Sequence, residues 1–110
     1  MDVEPRPLTQ RERDLVEELL RRSEVTIPAA EVDALQVVGQ CDCGCPTIYF
    51  NGGANGPLIA SAHIEGTHDE VLLFAGGDNK PLSSLELAWI ADTPPTQLPP
   101  ASRLRDPERA

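Results

Sequence analysis

The chain of 110 residues has little positive charge and no long apolar segment. Nine basic residues stand against 18 acidic ones, which gives a net charge of −9. Nucleic acids and anionic membranes bind clustered lysine and arginine, so this balance argues against both as partners. There is neither the basic start and apolar stretch of a signal peptide nor any run near the roughly 18 apolar residues of a membrane helix. We therefore expect a cytoplasmic protein.

Aromatic residues are scarce as well, at 4% of the chain, whereas 40% of all residues are hydrophobic. This is enough for one small domain with a core of leucine, valine, isoleucine and alanine, since a domain of this size buries roughly two-thirds of its unfolded surface. All three cysteines lie within residues 41–45. A secreted disulfide framework has an even and dispersed set of cysteines, so the sequence excludes one.

The first regular element predicted is a helix over residues 10–22. Thr9 and Glu12 have the spacing of a capping box, in which each side chain accepts a hydrogen bond from the other residue's backbone N–H. Glu17 and Arg21 are spaced as an i,i+4 ion pair. A single apolar stripe marks the buried face of this helix: Leu15, Val16, Leu19 and Leu20.

A short second helix is predicted over residues 29–35, entered through Pro28, with Val32 and Leu35 facing inward. Ile27, just before it, is a predicted core anchor. Apolar and β-branched runs then indicate extended segments at residues 37–40, 47–50, 58–65, 70–75 and 82–91. Because short polar turns separate most of them, the predicted fold is α+β, with both helices on one face of an antiparallel meander sheet of about four strands.

Both ends of the chain are predicted to lie outside this domain. Residues 1–7 form a leader, residues 8–92 the α+β domain, and residues 93–110 a proline-rich tail whose prolines disfavour helices and central strands. The tail either packs across the sheet near Leu98 and Leu104 or hangs free.

A loop over residues 51–57 predicts the register of the first hairpin. It pairs Phe50 with Leu58 on an apolar face, and Cys45 with His63 on the opposite, mixed face. Leu72 and Phe74 lie on the other side of their strand from Val71 and Leu73, so apolar side chains on both faces of the sheet need a cover. The tail, a second copy of the chain in a homodimer, or another protein provides it.

The cysteine run is the most distinctive chemical feature. Cys41, Cys43 and Cys45, with His63 as fourth ligand, are candidates for a zinc site, with Gly44 allowing the bend that a regular strand does not. The two C-x2-C pairs usual for structural zinc are missing, however. A redox role and simple packing of small side chains at the start of a strand stay open beside it.

The run Cys-x-Cys-Gly-Cys-Pro-Thr over residues 41–47, placed between a short helix and a strand, resembles a motif of small uncharacterised actinobacterial proteins. The closing Leu-Ser-Ser-Leu-Glu-Leu over residues 82–87 and the prolines after it are similar to the ends of those chains. The resemblance implies a single small α+β domain of unknown function, and it carries over no catalytic residues.

Catalytic signatures are lacking elsewhere. Ser83 and Ser84 near Glu86 fit a strand better than a nucleophile and its base, and no phosphate-binding loop is present. We therefore predict a non-enzymatic, acidic protein-interaction module without a cofactor, which binds a basic protein through the helix-free sheet face or the tail. The alternative is a zinc-binding protein.

Overall fold

The computed structural model describes residues 2–23, 25–41, 46–50, 55–76, 82–89, 95 and 97–105. Two α-helices are found among these residues, α1 over Gln10–Arg22 and α2 over Ala29–Asp33. The strands in the same residues are β1 Asp2–Pro7, β2 Gln36–Gln40, β3 Ile48–Phe50, β4 Asn55–Ile64, β5 Glu70–Gly76, β6 Leu82–Ala88 and β7 Leu104–Arg105.

All seven strands of the described residues form one antiparallel sheet in the order β1-β2-β3-β6-β5-β4-β7. The predicted α+β class is confirmed, but the expected number of about four strands is too low, and the expected meander order is wrong because β3 lies beside β6 and not beside β4. Two of the additional strands, β1 and β7, come from the segments predicted as leader and tail. Each forms an edge of the sheet, where a short or proline-containing strand lacks the local pattern of a central one.

Helix α1 has the predicted bounds, and its capping box is confirmed. The Thr9 hydroxyl accepts from the Glu12 N–H at 3.2 Å, and the Thr9 N–H donates to Glu12 Oε1 at 2.8 Å. The expected Glu17–Arg21 ion pair is replaced, because Arg21 pairs with Glu18 and Glu17 with Arg13. Spacings of three and four residues both bring side chains together on a helix, so sequence spacing alone does not choose between them.

The predicted hairpin of β3 with β4 is wrong. Strand β3 lies between β2 and β6, whereas β4 lies between β5 and β7. Phe50 is opposite Val37 and not Leu58, and His63 is opposite Glu70 on one side and Arg105 on the other; its predicted partner Cys45 lies outside the described residues. Consecutive strands pair only about two-thirds of the time, and the loop between β3 and β4 has no residue pattern that distinguishes a hairpin from a longer connection.

The core lies between the helices and one face of the sheet. Leu15, Val16 and Leu19 of α1 are fully buried, as the apolar stripe predicts. Val32 and Leu35 are also buried, and Ile27 packs against the same cluster. Leu98 and Leu104 belong to this core, at 7% and 2% exposure. The described part of the proline-rich segment is thus an integral part of the fold.

Candidate functional site

The face of the sheet turned away from the core is the first candidate site. Val71 and Leu73 of β5 are fully buried on the core side, so Leu72 and Phe74 point the other way, as the alternation predicts. Residues paired directly across strands share a face, which fixes the remaining members. We call this set the outer face: Tyr49, Leu58, Ser61, His63, Glu70, Leu72, Phe74, Ser84, Glu86, Ala88 and Arg105.

The apolar part of the outer face is a row across four strands. Tyr49 is opposite Ser84, Ser84 is opposite Phe74, and Phe74 is opposite Leu58. Tyr49 is 37% exposed and Leu58 48% exposed, while Phe74 and Leu72 are half-buried. Ser84 between the aromatic residues is fully buried and donates to Glu86 Oε2 at 2.8 Å. The row therefore presents two aromatic rings around a buried hydroxyl.

Carboxylates border the apolar row. Glu86 of β6 is opposite Leu72 of β5. Glu70 is the next residue of β5 on the same face, and it lies between Ala88 of β6 and His63 of β4. No salt bridge in the described part of the chain involves Glu70. The outer face therefore joins exposed aromatic surface to negative charge, a combination suited to a basic surface.

The cysteine run begins at a hairpin rather than within a strand. Strand β2 ends at Gln40, opposite Ile48 of β3, and the Cys41 N–H donates to the Thr47 carbonyl at 3.2 Å. Cys41 is of intermediate exposure, whereas Cys43 and Cys45 lie outside the described residues. The chain thus reverses direction between Cys41 and Thr47, and these two residues do not belong to one continuous strand.

His63 lies on β4, which is separated from the β3 side of this hairpin by β6 and β5. Three inter-strand spacings amount to about 14 Å. The sequence placed His63 opposite Cys45 through the incorrect hairpin register, so that reason for including it among the zinc ligands is lost. Within the described ranges no group of three or more potential metal ligands is present. The zinc assignment itself stays a prediction.

A cavity of about 560 Å³ opens beside the neck of the β2–β3 hairpin. Three parts of the chain that are distant in sequence form its walls: the end of β1 with the start of α1, the hairpin, and the segment leading to Leu98. We call it the hairpin cavity, and its lining includes Arg6, Arg11, Glu12, Gln40, Pro46, Thr47, Ile48, Gln97 and Leu98. Its volume lies within the range of small-molecule sites, about 300–1,000 Å³.

Glu12 is the buried acid of this cavity. Burial alone raises the pKa of its carboxyl, but hydrogen bonds from Arg6 and Thr9 outweigh that effect and hold the pKa below its ordinary value of 4.5. Arg6 donates to both carboxylate oxygens at 2.9 Å, which is the bidentate geometry of a strong ion pair. The hydrogen bond to Glu12 in turn raises the pKa of Arg6.

Sequence reasoning missed this cavity entirely. It identified Glu12 only as half of a capping box and gave Arg11 no role. One local signal was available, since a base in the first turn of a helix is opposed by the helix dipole and calls for another explanation. The rest of the site depends on which strands are neighbours.

The chain matches no protein-family model, and no curated protein or solved structure matches it. The comparisons therefore assign neither a family nor a function, and the resemblance to small actinobacterial proteins stays a prediction. No helix in the described residues has the length and apolar character needed to cross a membrane.

Proposed function

We propose that this protein is a non-enzymatic interaction module that binds a basic partner protein through its outer face. The observation that carries the proposal is the row of Tyr49, Phe74 and Leu58 on the side of the sheet opposite the helices, bordered by Glu70 and Glu86. The net charge of −9 supports a partner of opposite charge, because complementary charge speeds association and disfavours acidic competitors.

Tyr49 is the side chain best suited to anchor such a partner. Tyrosine is enriched among the few interface residues that dominate binding energy, since it combines a large apolar surface with a polar end. The Tyr49 residue is 37% exposed, so a partner can bury the rest of its surface, whereas the neighbouring Ser84 is already fully buried. We expect Glu70 to act mainly on the association rate, as charges at the rim of an interface do.

The test starts from the cells that produce the protein. Partners are captured with the wild-type chain, identified, purified and titrated calorimetrically against variants. We expect a basic partner whose affinity falls by about tenfold or more for Tyr49→Ala, the loss typical of an interface anchor. We also expect its association to slow for Glu70→Lys.

Two matched variants control for non-specific effects. Pro28→Ala removes apolar atoms from an exposed residue before α2, and Asp14→Lys reverses an exposed charge on α1. Both should bind the partner as the wild type does. If the control variants weaken binding as much as the outer-face variants, or if every reconstituted partner is acidic, the proposal fails.

A zinc-binding function is the second candidate, and the hairpin at Cys41 favours it. A regular strand spaces same-face side chains about 6–7 Å apart, too far for thiolates about 2.3 Å from a shared metal ion. The hydrogen bond from the Cys41 N–H to the Thr47 carbonyl shows that these two residues face each other across a hairpin. Cys41 is therefore not bound by the spacing of a regular strand, and the distance objection does not apply to it.

Native mass spectrometry with and without a chelator tests the zinc proposal. We expect one zinc ion per chain, lost in Cys41→Ser and retained in His63→Gln because His63 lies three strands from β3. A protein purified without zinc that takes up none on stoichiometric addition rules this function out. Loss of zinc in His63→Gln would restore the originally predicted ligand set.

A further inference from the structure

Among the described residues that line the hairpin cavity, the positive and negative charges do not balance. Two guanidinium groups, Arg6 and Arg11, face one carboxylate, Glu12. Glu12 is already saturated by Arg6 and by the Thr9 N–H. The described residues that line the cavity therefore carry a charge of +1, in a protein whose net charge is −9.

Arg11 carries the excess charge. Its Nη1 donates to the Leu98 carbonyl at 3.1 Å, which holds the guanidinium at the cavity wall. Among the described arginines, five pair with a carboxylate, whereas Arg11 and Arg103 have only main-chain acceptors. Arg11 is an exposed residue whose side chain reaches the cavity, so its guanidinium is accessible to a small molecule.

The position of Arg11 at the start of α1 does not stabilise its positive charge. It lies in the first turn of α1, where the helix dipole opposes a positive charge. The Thr9 hydroxyl already accepts from the Glu12 N–H, so we assign the site to the Arg11 guanidinium and not to that helix amide. An arginine fork has five N–H donors, and only one of those of Arg11 is used, so the group retains the donors needed for a bidentate carboxylate.

We propose that the hairpin cavity binds a small organic monocarboxylate, with the carboxylate on Arg11 and a short branched apolar body against Pro46, Ile48 and Leu98. A single negative charge matches the local excess of +1, and the apolar wall favours a ligand with a hydrocarbon portion over a bare anion. This site is separate from the outer face, and neither proposal depends on the other.

The experiment titrates the full-length 15N-labelled protein with 3-methylbutanoate and follows its amide resonances. We expect saturable shifts at residues that line the cavity, with a dissociation constant in the millimolar range that is usual for so small a ligand. The neutral isostere 3-methylbutanamide should bind about tenfold more weakly or worse, because it lacks the charge that Arg11 recognises. Inorganic phosphate should also bind more weakly, because it has no apolar body.

Two variants assign the recognition to Arg11. Arg11→Gln should weaken 3-methylbutanoate binding by about tenfold or more. Arg103→Gln removes the other arginine that has only a main-chain acceptor, outside the cavity lining, and should leave binding unchanged. Equal binding of the amide or of phosphate, full affinity in Arg11→Gln, or shifts that do not saturate would each overturn the proposal, and all but the variant result are measured on the wild-type fold.

Discussion

At the scale of single residues, Glu12 shows how one side chain can serve two structures. Its spacing from Thr9 predicts a capping box, which the structure confirms. The same carboxylate also receives Arg6 from β1, so it connects the first strand to the first helix. The sequence could predict the local role because it depends on three residues of spacing. The second role depends on where β1 lies, which no local pattern indicated.

Replacement of Glu12 by Gln is therefore expected to destabilise the protein in a pH-dependent way. At about pH 7 we expect a loss of about 1–3 kcal/mol, the usual cost of a lost charge-assisted hydrogen bond and cap. Because the folded-state pKa of Glu12 lies below 4.5, the stability it adds is fully present above that value and is lost as the pH falls through the folded pKa. Urea unfolding between about pH 7 and pH 3.5 measures this.

Glu17→Gln is the matched control for this experiment. Glu17 is also on α1 and paired with an arginine, but its side chain is 52% exposed. Exposed ion pairs contribute about 0–1 kcal/mol, so its replacement should change stability little at any pH. A difference between wild type and Glu12→Gln that stayed constant down to the acid limit would contradict the assigned role of the carboxylate.

At the scale of elements, prediction succeeded where the signal is local and failed at the sheet edges. The bounds of α1 follow from its cap and its apolar stripe. β1 contains Pro5 and Pro7, and β7 has only two residues, so neither shows a strand pattern. Prolines and very short strands are common devices against aggregation at exposed edges. The prolines of β1 and the shortness of β7 thus explain both why the sequence did not predict these strands and why they are suited to the edge of the sheet.

The proline-rich segment is expected to be essential for stability, because it supplies Leu104 to the core. Leu104 is 2% exposed, and its strand pairs with β4 through Ile64. Leu104→Ala should cost about 2–5 kcal/mol, as for other buried leucines. The adjacent Arg105→Ala, at an exposed position, should cost well under half as much. Chemical denaturation of both variants checks this, and equal costs would contradict a core role for Leu104.

At the scale of the whole molecule, sequence patterns predicted the faces of the sheet better than its order. The alternation along β5 predicted that Leu72 and Phe74 lie on a different face of the sheet from Val71 and Leu73, so the apolar part of the outer face was partly predictable. Strand order depends on long-range pairing, and here β3 joins β6 rather than its neighbour in sequence. The hairpin cavity lies between segments brought together by that order, and so no local pattern could reveal it.

This order predicts a single cooperative unfolding transition. The sheet consists of β1-β2-β3 on one side and β6-β5-β4-β7 on the other, joined where Ile48 is opposite Leu85. Helix α1 and the segment after β6, which we call the bridging segment, connect the two parts. Glu12 of α1 accepts from Arg6 of β1, and α1 also donates from Arg11 to the Leu98 carbonyl and from Arg22 to the Leu104 carbonyl of β7. Neither side can open without loss of contacts to the other, so the two should unfold together.

Two optical probes measure this cooperativity. Trp89, the only tryptophan, follows β6 and packs against the core, so its fluorescence reports on that part, while far-ultraviolet circular dichroism reports on all elements. We expect coincident urea midpoints in the wild type, and in Ile48→Ala an equal shift of both, since the substitution weakens the join by about 2–5 kcal/mol. Ala88→Ser, at an exposed position on β6, should leave both midpoints in place. Midpoints that separate in the wild type would show that the two sides of the sheet unfold independently, and the bridging segment would then not couple them.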